Sequence, residues 1–228
     1  MKSILFDATF RSGNHFAVAL LKKAFSNIKL YWGYKDKHNP ESFNLPKDKF
    51  NFYMTSIRKP IDSIASQIFL ESANNYNQVI KKYIVFLKSL LNNKEKVNIY
   101  SFEDITTKPM KVVENIAFKL NIDFKTVDIN KLIESFKYYN TPNFYAVPTN
   151  NQDIIDEENK LVEIKLKLSQ KSFANIIKEA DELYDNLLIS KIQLPRHSQL
   201  LEHWQFHNKC YKVFYKDIYE FNKLLLVF

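Results

Sequence analysis

Only two glycines serve a chain of 228 residues, and the first, Gly13, stands between an apolar run and an amphipathic stretch. Residues 2–9, with Ile4, Leu5 and Phe6 together, read as a strand. Beyond the turn, Phe16, Leu20, Leu21, Ala24 and Phe25 fall on one face of a helix. A strand, a tight polar turn and a helix in that order aim successive backbone N–H groups and the positive end of a helix dipole at one spot. Glycine there can take φ > 0 and let the backbone approach a ligand closely. The turn Arg11-Ser12-Gly13-Asn14-His15-Phe16 is thus a candidate anion site, with Arg11 and the Ser12 and Asn14 side chains as further donors. A plain strand-to-helix turn is the alternative.

The alternation continues down the chain. Residues 50–57 form a second candidate strand, and Pro60 opens a helix at the position where its missing N–H is tolerated. Ile61, Ile64, Ala65 and Ile68 give that helix its apolar stripe, and residues 79–91 form another, with Ile80, Ile84, Leu87 and Leu91 in phase. Residues 97–102 are a third strand, followed by a helix starting near Pro109, and Asp128 is placed to cap a short helix. Residues 31–49 and 141–151 read as loops, and 155–225 mainly as helices with a break near Pro195. Such alternation implies an α/β fold: a central parallel sheet flanked by helices, with a helix-rich C-terminal half.

A net charge of +8 favours an anionic partner without choosing among nucleic acid, acidic glycan and a phosphorylated cofactor. The basic residues are scattered rather than blocked, so no nucleic-acid arm is indicated. The lone Cys210 argues for a reducing compartment, and no run suits a signal peptide or a membrane span, so a soluble cytoplasmic protein is expected. His203 and His207 lie one helical turn apart near Cys210, but no third ligand accompanies them and no metal site is expected. The Gly-x-x-x-x-Gly-Lys-Ser/Thr pattern of nucleoside triphosphatases is absent.

A second constellation, Arg58-Lys59-Pro60-Ile61-Asp62, closes the second strand, with Ser66 two helical turns on. An arginine fork and a serine hydroxyl suit a phosphate monoester; taken singly, such residues are more often a surface arginine and an ordinary helix serine. Together with the glycine turn they resemble the sulfotransferase family. Its 5′-phosphosulfate loop reads approximately Pro-Lys/Arg-Ser-Gly-Thr-Thr-Trp, and residues 11–16 are similar to it. Its 3′-phosphate motif reads approximately Arg-Asn-Pro-x-Asp-x-x-x-Ser, matched by Arg58, Pro60, Asp62 and Ser66. Tyr100-Ser101-Phe102-Glu103-Asp104-Ile105 with Pro109 resembles a third family segment. These matches cover about the first 125 residues.

The resemblance implies a P-loop-like sulfotransferase fold in one domain, 1–228. Residues 1–125 would hold the cofactor, and 126–228 would cover the acceptor side. It implies 3′-phosphoadenylyl sulfate as sulfuryl donor, with Arg11, Ser12, Gly13, Asn14 and His15 on the 5′-phosphosulfate and Arg58 and Ser66 on the 3′-phosphate. Phe16 and Phe102 stand where adenine contacts are expected, and Phe16 is equally placed for the core. Asn14 and His15 replace the family's two threonines, and its late Arg-Lys-Gly clamp is missing, with Arg196 or a lysine as possible substitutes. Transfer to an acceptor hydroxyl needs a base, for which His38 in the loop before the second strand is the candidate, an exposed loop histidine being the rival reading. His15 is the second choice and Glu41 a third. The acceptor would be a carbohydrate or another small molecule, with Phe144 and Tyr145 placed to line its cleft. A kinase would need a phosphate-loop lysine that is missing; a non-catalytic nucleotide- or polyanion-binding protein is the alternative.

Overall fold

Alternate residues of each strand feed two different cores, one on either face of the sheet. The computed structural model describes residues 1–33, 36–137 and 151–189. Its strands are β1 (Lys2–Phe6), β2 (Ile28–Trp32), β3 (Phe52–Ile57) and β4 (Val97–Ser101), all parallel in the order β2-β1-β3-β4. Ile4, Phe6, Phe52, Met54 and Tyr100 enter one core with α1 (Asn14–Ala24) and, later in the chain, α5 (Pro109–Leu120). Leu5, Tyr53, Ile57, Val97 and Ile99 enter the other, with α2 (Pro60–Glu71) and α3 (Tyr76–Asn92). This period of two, applied to strands covered on both faces, explains why β3 is buried along its whole length.

The C-terminal part of the described chain is helical, in α6 (Ile129–Lys137), α7 (Asn151–Leu168) and α8 (Lys171–Ile189). The last two pack on α2 and α3, and Ile177, Ala180, Tyr184 and Leu187 of α8 extend the second core. A short helix, α4 (Phe102–Thr107), intervenes between β4 and α5.

Two expectations differ from the structure. The loop expected over 31–49 gives up its start to β2, which pairs with β1 from Lys2↔Ile28 to Phe6↔Trp32. The edge position of β2 leaves it partly exposed, so its apolar alternation is diluted. Phe102 does not end the third strand but opens α4, because Ser101 and Asp104 form a capping box: each side chain bonds the other residue's backbone N–H. Gly33 ends β2 at φ 73°, and a Cβ there would lie 2.5 Å from the Asp36 carbonyl oxygen. The expected break at Pro195 and the loop residues Phe144 and Tyr145 lie outside the described residues, as do Arg196, His203, His207 and Cys210.

The sheet order positions the site. From β1 the chain crosses through α1 to β2 on one side; from β3 it crosses through α2 and α3 to β4 on the other. Connections that leave neighbouring strands in opposite directions open a crevice at their C-terminal ends, where ligands of open α/β sheets bind. Leu5, wholly buried in β1, should lose about 2–5 kcal/mol of stability as Leu5→Ala, while Phe118→Ala, at 85% exposure, should change it by under about 0.5 kcal/mol in urea denaturation.

Candidate functional site

Both sequence constellations converge on that crevice. Residues 7–13 leave β1 and turn into α1, with Arg11 at φ 61° and Gly13 at φ 79° as the residue before the helix. Two left-handed residues so close together make a tight turn that points the first amides of α1 outward. No acidic side chain occupies the first turn of α1, so the positive end of its dipole is left to a ligand. A Cβ on Gly13 would meet the Phe102 ring at 3.3 Å, which explains why the turn also needs the smallest residue.

The polar side chains of the turn face inward. The Ser12 hydroxyl, fully buried, lies 2.6 Å from the Thr9 carbonyl, 2.9 Å from Asn14 Oδ1 and 3.0 Å from the Ser56 hydroxyl. The Asn14 amide donates to the same Thr9 carbonyl at 3.1 Å, and Ser56 donates to the Ser12 carbonyl at 2.9 Å. These contacts tie the turn to the end of β3. What Ser12 and Asn14 can present to an anion is therefore backbone N–H rather than side chain.

Arg11 reaches across the crevice, where its Nε donates to the Ser66 hydroxyl of α2 at 2.7 Å. Arg58, leaving β3, donates from Nη1 to the Arg11 carbonyl at 3.1 Å, and its guanidinium stands 4.6 Å from the Phe102 ring centre. The buried Tyr83 hydroxyl donates to the Arg58 carbonyl, fixing the backbone from which that fork extends. Ser63 bonds the Phe10 carbonyl in the same way. Asp62, part of the sequence motif, pairs with Lys165 of α7 at 2.6 Å. Phe16 packs partly buried against the first core, and Phe102 is half-buried at the mouth of the turn.

His15 lies edge-on to Trp32, ring centres 4.6 Å apart, and the Lys37 ammonium stands 4.0 Å from the same Trp32 ring. Burial, followed by the charges of Lys37, Arg11 and His38, holds the His15 imidazole down to about 4, so it is neutral at pH 7. His38 sits with its Nδ1 2.7 Å from the Ala8 carbonyl oxygen. It lines a cleft of about 880 Å³ that runs from Thr9, Phe10 and Asn39 to Gln67 and Tyr83. Glu41 is the second residue of the short 3-10 turn Pro40–Phe43, where its N–H donates to the Asn39 side chain.

One residue that motif reasoning passed over is Asp7, whose fully buried carboxylate joins the end of β1 to the His38 segment through the N–H groups of His38 and Asn39. Burial pushes its carboxyl up, against the lowering effect of Ser42 and of the backbone donors. An acid closing an apolar strand was the available signal. Among the described residues no helix is long and apolar enough to cross a membrane, and no group of three His, Cys, Asp or Glu could hold a metal.

Gly13→Ala combines the left-handed penalty, about 1–2 kcal/mol, with the Phe102 contact and should lower stability by at least that amount in denaturant titration. A histidine whose folded value lies below its unfolded 6.5 binds its proton more readily when unfolded, so stability is lost as pH falls from about 6.5 towards 4. His15→Gln should flatten this part of the stability-against-pH curve relative to the parent chain; parallel curves would contradict the assignment.

No family model and no curated protein matches the sequence. Solved structures similar to the chain include two sulfotransferases. The sulfotransferase domain of the Synechococcus PCC 7002 olefin synthase superposes with TM-score 0.49 at 12% identity, covering 85% of this chain and 95% of that one. Mouse sulfotransferase SULT7A1, complexed with PAP, superposes with TM-score 0.45 at 11% identity, covering 90% of this chain and 88% of that one. These structural neighbours of the four-stranded parallel sheet and its flanking helices are sulfotransferases.

Proposed function

We propose that this chain is a sulfotransferase that binds 3′-phosphoadenylyl sulfate in the crevice between β1 and β3 and passes its sulfuryl group to an acceptor hydroxyl. The observation that carries the reading is the convergence of Arg11, Arg58 and Ser66 beside the α1 N-terminus. One nucleotide with phosphate at both its 5′ and 3′ positions needs more than one cationic group, and Arg11 and Arg58 reach the crevice from the ends of two different strands. The α1 amides and Arg11 suit the 5′ end; Arg58 and Ser66 suit a 3′-phosphate monoester. Phe102, against both Gly13 and Arg58, is placed for a purine face.

The donor supplies the sulfuryl group: the acceptor oxygen bonds to sulfur as the bond from sulfur to the 5′-phosphate oxygen breaks, leaving a sulfate ester and 3′-phosphoadenosine 5′-phosphate. Arg11 and the α1 N-terminus stabilise the negative charge that gathers on that phosphate. His38 accepts the acceptor's proton. A carbonyl oxygen only accepts hydrogen bonds, so the Nδ1 beside Ala8 carries the hydrogen of the neutral ring and Nε2 is left basic. Neutral His15 beside Arg11 is the second candidate for that work. The adjoining cleft, lined by Phe10 and Tyr83 and by the carboxamides of Asn39 and Gln67, suits a carbohydrate or another small hydroxylated acceptor.

Calorimetric titration with 3′-phosphoadenosine 5′-phosphate against 5′-AMP tests the nucleotide assignment. The expected result is binding of the former with little or none of the latter. Arg58→Ala should weaken it by about 10–100-fold and Ser66→Ala by about 3–10-fold. Equal binding of both nucleotides, or binding of neither, would leave a non-catalytic polyanion-binding protein as the better reading.

A further inference from the structure

Asp7 closes β1 with no accessible surface, and the transfer chemistry makes no use of it. A buried carboxylate is expensive unless its oxygens are satisfied. Its Oδ1 accepts the N–H of Ala8 at 2.9 Å and the N–H of His38 at 2.9 Å. Its Oδ2 accepts the N–H of Asn39 at 3.1 Å and the hydroxyl of Ser42 at 2.6 Å. All four partners act as donors, which matches an ionised carboxylate and not an amide, whose NH2 would face donors in turn. Three of them come from a segment 31, 32 and 35 residues further along the chain.

The same segment is strained where it matters. His38 has φ 59°, an uncommon left-handed conformation for a residue with a Cβ, which persists where the surroundings over-determine it. Its ring then folds back so that Nδ1 meets the carbonyl of Ala8, the residue whose N–H the carboxylate already holds. Phe10 lies beside the half-buried imidazole in an edge-to-face arrangement, ring centres 6.3 Å apart.

We infer that Asp7 is a positioning residue for His38: by holding the His38 and Ala8 backbones together, its carboxylate fixes the Nδ1–H tautomer and leaves Nε2 as the proton acceptor. The inference rests on reading His38 as the base, and it concerns a position outside the sequence motifs. The role parallels an acid that orients a histidine, with the difference that here the acid grips the backbone and a carbonyl receives the ring hydrogen.

The test uses the 15N-labelled full chain at a pH where imidazoles are neutral. His38 ring signals are identified in long-range 1H–15N spectra by their loss in His38→Gln. The parent chain should show the Nδ1–H pattern, and Asp7→Asn should show a mixture of tautomers. In Asp7→Asn, affinity for 3′-phosphoadenosine 5′-phosphate should be unchanged. Release of sulfate from 3′-phosphoadenylyl sulfate, with water as acceptor, should fall by about a hundredfold, the scale of a small misplacement of a reacting group. An Asp7→Asn protein that keeps the parent tautomer would overturn the inference. If that variant fails to fold, Ser42→Ala removes one donor only, and an Nε2–H pattern in the parent chain overturns the inference without any variant. A parent chain with the expected tautomer but no affinity for the nucleotide would support the clamp and sink the transfer reading instead.

Discussion

Ser12, Asn14 and Ser56 share a buried set of hydrogen bonds at the ends of β1 and β3, and the arrangement of the crevice depends on it. Two parallel strands whose connections part in opposite directions leave a gap, and a gap lined by loops has no shape of its own. The knot gives it one. Each buried hydroxyl or amide there has a partner, so the turn is held from beneath and its backbone donors are turned to the surface. Arg11 can then reach Ser66, and Arg58 can reach the Arg11 carbonyl, only because both loops start from fixed points. Tyr83 adds a third fixed point under Arg58.

Positive charge collects around this crevice without acidic partners in the first turn of α1, and His15, held neutral first by burial and then by the neighbouring charges, adds none at pH 7. A polyanion entering the crevice would meet Arg11, Arg58 and Lys37 together and would relieve their mutual repulsion. The excess of basic residues over the chain acts at longer range, drawing anions in, and says little about which anion is held. Discrimination must come from the forks and hydroxyls whose geometry is set locally.

The sequence was most legible where a local pattern and a local structure share one cause. The strand, turn and helix around Gly13 follow from an apolar run, one permissive residue and a 3.6-residue period, and Pro60 opens α2 at its first position as expected. It was less legible where tertiary contacts decide. β2 is an edge strand whose partly exposed residues hide the alternation, and its pairing with β1 cannot be seen in its own five residues. Phe102 reads as a strand residue by type but obeys the capping box around it. Ser12 and Asn14 were legible as polar and not as inward-facing, since Ser56, their partner, is 44 residues from Ser12. Asp7 offered only an acid after an apolar run, and its meaning depends on a segment more than thirty residues away.

A crystal structure of the full chain with 3′-phosphoadenosine 5′-phosphate tests the central claim most directly, because it locates both ends of the nucleotide at once. The account predicts the 5′-phosphate on the first amides of α1 beside Arg11, and the 3′-phosphate on Arg58 and Ser66. A nucleotide bound away from the β1–β3 crevice, or lying in it with its phosphates on neither set of groups, would contradict it.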